Sequence, residues 1–442
     1  MARVLFSVRS NIIWDHQNPQ ALDPFYEGFI QELINFGNDV LLIRTNNIID
    51  AFNSKLNPDD TRYFQNVAKK FDPEIIITPN HSIPKCILET TDCPVIVIGA
   101  DSLPYYSDKE YIRQNIGRYI FAHHDLGMSF AQACCEVFGA QPDQNRLIGY
   151  ATSVQAETLP IKQNIVFMGI LGWTYFAQKK FIQIKDAQEL QKFWLDYETG
   201  ITDKKKLDID MLHVLTANSR IKTLDALSDL GLKCYGYINA YAAALPYSIN
   251  LAKCFDIAPK YKVKDIQDEF NSSLIAPTLF NAQATSGFSW RVCDVMASNA
   301  CLIAPPQKDI CQFSPYVEIP FYESPAEARE LCQKLIKDNV WRSEIVAGSQ
   351  KAVNEKWRFI NMFRRFEEIS PVSLTSKPAP EHKAEYIVLG EKKNKSVRKR
   401  RLKKKIKLIF YAFLFLLSLL PLSGSFLKKK KILKKINKTM EK

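Results

Sequence analysis

The sequence predicts an α/β protein, and three observations carry that expectation. Short apolar, β-branched runs alternate with amphipathic helical patterns, as in parallel sheets covered on both faces. The alternation occurs twice, over 1–155 and again over 164–370, on either side of a polar stretch that contains Pro160. Charge is unevenly divided: of 59 Lys and Arg and 47 Asp and Glu, 19 bases and one acid (Glu441) fall in 392–442. The remaining 40 bases and 46 acids leave the body at net −6. The expected architecture is two Rossmann-like domains facing a cleft, followed by a separate basic and apolar tail.

In chain order, the first series predicts strands at 4–8, 40–44, 75–78, 95–99, 119–122 and 147–151. Between the first two, Phe25, Phe29, Leu33 and Phe36 recur at i, i+4, i+8 and i+11, an amphipathic helix over 24–36 ended by Gly37-Asn38. The second series predicts strands at 164–169, 234–237, 274–277, 300–304 and 317–319. Helices are expected over 325–337, 340–355 and 357–368. A ligand should bind outside the carboxyl ends of the strands, between the domains.

Composition excludes several classes. An acidic body argues against a nucleic-acid-binding protein, since the basic excess is confined to the tail. The ten cysteines form no C-x-x-C pair and no zinc spacing, and most lie in apolar runs as small buried hydrophobes. The opening MARVLFSVRSN enters a strand directly, without a signal-peptide apolar region. Together these point to the cytoplasm.

The segment 281–306, NAQATSGFSWRVCDVMASNACLIAPP, carries the chemistry. Ser286-Gly287 reads as a loop, 290–298 as a helix and the remainder as a buried strand. Small residues before a helix leave its first N–H groups for an anion. Arg291 can fork onto phosphate oxygens, and Asp294, one turn on, can hold a ribose diol. The spacing alone also fits an exposed i, i+3 ion pair. The segment resembles the donor-site motif of GT-B glycosyltransferases, in the group 1-like subgroup that reads G-x-x-x-R-x-x-[DE]-x-x-A-x-x-[GA]. Gly287, Arg291, Asp294, Ala297 and Ala300 match it. The resemblance spans about 210–370, including Trp357-Arg358-Phe359 and Arg364-Arg365-Phe366 near its end. It implies a nucleotide-sugar donor, transfer without a metal or cofactor, and a donor-phosphate loop near Gly169 and Gly172, which also suit a plain tight turn. Many retaining members carry an acid eight positions before Asp294. Here that position is Ser286, so inverting and retaining mechanisms both stay open.

Ser219-Arg220, ahead of a helical run, offers a second cation for a diphosphate or a solvated arginine. A catalytic base is expected from loops after first-domain strands, with Asp15 and His81 as candidates and His16 beside them. Asp23, before Pro24, suits a helix N-cap. His123-His124-Asp125 is half a metal site lacking a third ligand at recognisable spacing, and Asp125 is expected to cap the next helix.

In the tail, a basic run containing Arg398, Arg400, Arg401, Lys403, Lys404 and Lys405 precedes the apolar stretch 408–422, with Phe410, Phe413 and Leu416. The 22 residues 406–427 would reach about 33 Å as a helix. Lys407, Pro421 and two basic flanks favour monotopic or re-entrant insertion over a single span. The reading is a glycosyltransferase at the cytoplasmic face of an anionic membrane, acting on a lipid-linked or polysaccharide acceptor of lipopolysaccharide type. A nucleotide-sugar epimerase, or a tethered non-catalytic adaptor, is the alternative.

Overall fold

The computed structural model describes residues 1–8, 22–44, 58–99, 106, 108–128, 130–169, 171, 209–236, 244–245, 247–256, 260, 262–279, 287–376 and 383–389. Residues Met1–Leu389 form one compact unit. Gly390–Lys442, which holds the expected tail, is a separate unit outside the described residues.

The first half runs β1 (Arg3–Val8), α1 (Pro24–Asn35), β2 (Asp39–Arg44), α2 (Pro58–Phe71), β3 (Ile75–Pro79), α3 (Lys85–Leu88), β4 (Val95–Ile98), α4 (Lys109–Gln114), β5 (Tyr119–His123), α5 (Ala131–Phe138) and β6 (Asn145–Leu147). The centres of β1 to β4 are apolar because both faces are covered. Successive side chains of β1 point to opposite faces, with Val4, Phe6 and Val8 in one core and Leu5 in the other. Asp23 takes the N-cap position of α1 and its carbonyl accepts from Glu27 N. Its side chain makes no capping bond, so the cap expected there is backbone only. The last strand lies earlier than the 147–151 expected, because 148–151 leaves the sheet for the second half.

The second half runs β7 (Gln163–Met168), α6 (Ile209–Ala226), β8 (Leu232–Tyr235), α7 (Ile249–Cys254), β9 (Phe255–Asp256), α8 (Val263–Asn271), β10 (Ser273–Pro277), α9 (Arg291–Met296), β11 (Cys301–Ile303), α10 (Pro325–Lys337), α11 (Asn339–Lys356) and α12 (Phe359–Glu367). A final strand, β12 (Tyr386–Leu389), follows. The expected strand at 317–319 does not form. There Val317 and Ile319 are buried in an extended stretch that touches the sheet only through a bridge between Ala304 and Phe321.

All pairings between described strands are parallel. The first sheet has the order β12-β2-β1-β3-β4-β5-β6 and the second β11-β10-β7-β8-β9. Each therefore reverses its winding once, between β1 and β3 and between β7 and β10. Ligands bind outside the strand ends at such reversals.

The halves are linked by two segments lying side by side. Thr152 bridges Arg358 in parallel and its N–H donates to Trp357 O at 3.0 Å. Arg358 donates to Val154 O, and Arg365 to Ile148 O. Beyond this crossing, α12 returns to the first half and buries Phe359, Met362, Phe363 and Phe366 in the core beneath α1. β12 then extends the first sheet along β2.

Candidate functional site

At the reversal of the second sheet, β7 is followed by Gly169, whose N–H donates to Tyr235 O at 3.3 Å. β10 ends at Pro277. Beyond it Arg220, from α6, reaches Leu279 O at 3.4 Å, and desolvation lowers its pKa to about 10. Arg220 is thus half-buried behind the β10 loop rather than solvated. Ser286 and Gly172 lie outside the described residues.

The loop re-emerges at Gly287 with φ +82°, a left-handed backbone that favours glycine. A Cβ there would lie 3.3 Å from Asp125 Cβ of the first half. Trp290 caps α9 and stacks on Phe25 of α1 (5.3 Å, 17°). The first N–H groups of α9 are not open to an anion as expected. Arg291 N faces Ser289 Oγ at 3.3 Å, Val292 N donates to Ser289 O, and both Cys293 N and Asp294 N donate to Trp290 O. The tight Ser289-Trp290 turn consumes them.

Arg291 and Asp294 form the i, i+3 pair (Nη1 to Oδ2, 3.0 Å), with side-chain exposures of only 19% and 8%. This is not a solvated surface pair. The second Asp294 oxygen accepts from Thr152 Oγ1 at 2.6 Å, so the carboxylate faces the crossing between the halves as well as Arg291. Desolvation raises its pKa, against the opposing effects of Arg291 and Thr152. Each oxygen of the expected ribose acceptor thus already accepts one bond, and Arg291 keeps four of its five N–H donors outside this pair. A cavity of about 10 Å³, enough for one water, adjoins Asp294, Thr152, Ser153 and Phe359.

At the reversal of the first sheet, Asp15 and His16 lie outside the described residues. His81 does not face a cleft. It sits at φ +54° after Asn80 at +48°, and this turn buries the imidazole fully, with Nε2 3.0 Å from Tyr119 Oη. Burial raises the Tyr119 pKa. A ring sealed in this way offers no face to an acceptor hydroxyl, and its geometry is that of a core histidine.

His123-His124-Asp125 does not converge as half a metal site. His123 Nε2 meets Asn145 Oδ1 at 2.8 Å, whereas His124 Nδ1 meets Gly149 O at 2.9 Å. A carbonyl only accepts, so Nδ1 carries the proton and Nε2 holds a lone pair. That Nε2 is buried and has no hydrogen-bond partner among the described residues. Desolvation lowers the His124 pKa to about 4, which keeps the ring neutral. The ring stacks on Tyr150 (3.9 Å), which touches Phe288 in the stretch before α9 (5.8 Å). Asp125 caps no helix, because α5 starts at Ala131 after Phe130. Among the described residues, no three His, Cys, Asp or Glu are grouped to hold a metal ion.

Two parallel-sheet halves meet at their strand ends, the fold expected from the resemblance to GT-B enzymes, with an Arg–Asp pair at the reversal of the second. Residues 220–368 match the glycosyl transferase-like family model, and through that domain the chain is a glycosyl-transfer enzyme. Sucrose-phosphate synthase from Thermosynechococcus elongatus has a similar fold: 10% identity, TM-score 0.50, covering 83% of this chain and 98% of that one. A glycosyltransferase from Rickettsia africae is similar at 13% identity and TM-score 0.49, covering 83% and 97%. No curated protein sequence matches the chain.

Proposed function

We propose that the enzyme moves a sugar from a nucleotide-sugar donor to a lipid-linked or polysaccharide acceptor, with lipopolysaccharide-type glycans as the acceptor class. The observation that carries this reading is the buried Arg291–Asp294 pair at the reversal of the second sheet. Arg291 meets the diphosphate through its remaining N–H groups, and Asp294, held by Thr152, fixes the guanidinium. Gly169 and the loop 286–287 shape the space around the phosphates, and Arg220 supports the loop from behind. The bond between C1 and the diphosphate oxygen breaks as the acceptor hydroxyl oxygen bonds to C1. Its proton passes to a first-half base, for which Asp15 is the proposed residue. Cationic side chains neutralise the leaving group, so no metal or cofactor is required of the protein.

The tail 392–442, with Arg398, Arg400, Arg401, Lys403, Lys404 and Lys405 on headgroups and Phe410, Phe413 and Leu416 inserted, holds the enzyme at an anionic, cytoplasm-facing membrane surface. No helix among the described residues is long and apolar enough to cross a membrane.

The test is donor hydrolysis and transfer over a panel of nucleotide sugars. Arg291→Ala should raise the donor KM roughly 10- to 100-fold, the worth of a hydrogen bond to a charged group. Unchanged donor affinity in Arg291→Ala would sink the assignment. Epimerised donor without transfer would replace it with the epimerase reading.

A further inference from the structure

Asp309 lies in the short 3₁₀ turn Lys308–Phe313 that follows β11, and no motif singles it out. Its carboxylate is fully buried. One oxygen, Oδ2, accepts from two backbone N–H groups on different halves of the molecule: Leu126 at 2.7 Å, after β5, and Gly287 at 2.9 Å, in the loop between β10 and α9. Both lengths are those of charge-assisted bonds. Oδ1 is buried without a hydrogen-bond partner among the described residues, so the carboxylate depends on these two donors. The loops it joins are already in contact, since a Cβ on Gly287 would touch Asp125 at 3.3 Å. Separating the halves would take Leu126 N–H away and leave a buried carboxylate with Gly287 N–H as its one remaining described partner.

We infer that Asp309 is a positioning residue that ties the shape of the donor loop at Gly287 to the approach of the first half at Leu126. The role in donor binding rests on the reading of 286–294 as the donor site; the junction itself does not.

The experiment is backbone hydrogen exchange on the donor-free full chain. Asp309→Ala should speed exchange roughly 10- to 100-fold in peptides covering 124–128 and 287–290. β1, β10 and the rest of both cores should exchange at the wild-type rate. Asp309→Asn, which keeps an acceptor oxygen, should restore most of the protection. Gly287→Ala, strained at φ +82°, should open the same junction with Asp309 intact, and the Asp309→Ala/Gly287→Ala double variant should add little. Unchanged protection at 124–128 in Asp309→Ala overturns the inference. So does protection lost throughout both cores, which would make Asp309 a fold residue. Should Asp309→Ala fail to fold, the Gly287→Ala and Asp309→Asn pair decides on the same peptides. In the nucleotide-sugar hydrolysis assay, Asp309→Ala should raise the donor KM at least tenfold, with Asp309→Asn between it and wild type. A wild-type chain that binds no nucleotide sugar sinks the donor-site reading while leaving the exchange result to judge the junction.

Discussion

At His124, burial keeps the ring neutral against the opposing pull of the hydrogen bond to Gly149 O. Its folded pKa of about 4 lies below the unfolded value of about 6.5, so the unfolded chain takes the proton first. The stability this represents is complete above pH 6.5 and is lost as pH falls toward 4, amounting to about 3 kcal/mol at most. His124→Phe keeps the stack on Tyr150 and removes the titration. Denaturant titrations at pH 7.5 and 4.5 should show a smaller loss in this variant than in wild type; equal losses would assign the acid sensitivity elsewhere. Thr152 can be tested in the same direct way. Thr152→Val leaves a buried Asp294 oxygen without its donor, and should cost about 1–3 kcal/mol in urea unfolding at pH 7. Arg291 and Asp294 were legible because a helix fixes their spacing. Thr152 and Asp309 were not, because their bonds join residues 142 and 183 positions apart, where no local pattern reaches. His81 misled because a residue after a strand looks the same in sequence whether the turn points it out or folds it in.

Among elements, α10 was bounded correctly from the sequence, and α1 and α11 to within a residue at each end, because caps and apolar periodicity agree there. Ser324 caps α10, accepting from Glu327 N, and Pro325 opens the helix. The short β9 and the late β12 carry too few residues for a period to register, and β12 sits between a proline-rich stretch and a lysine-rich one. Helix α12 belongs by sequence to the second half and by packing to the first. Phe363→Ala, which empties a fully buried position beside Phe29, should cost about 3–5 kcal/mol, measured by thermal or urea unfolding. β12 makes a sharper comparison through truncation. Ending the chain after 389 should leave the melting temperature near that of the full chain. Ending it after 376 strips the pairing along β2 and should lower it. Equal melting temperatures would make β12 an ornament of the sheet.

For the molecule as a whole, the uneven charge was the clearest feature of the sequence. Deleting 392–442 converts a net charge of +12 to −6. The shortened chain should stay folded by circular dichroism and no longer sediment with vesicles rich in anionic lipid. A truncated chain that still sediments would disprove the anchor. The first sheet both opens and closes the compact unit: β1 is its first strand, β12 its last, and the amino group of Met1 meets Ser376 Oγ at 2.8 Å. Topologically, then, the second half is a guest inserted into the first, entering and leaving through the adjacent segments at Thr152 and Arg358. Two segments of one chain crossing side by side would act as a leaf hinge rather than a swivel, bending about one axis and resisting torsion. Opening of this enzyme should follow a single arc, with Trp290 and Gly287 leaving and regaining the same partners on each turnover.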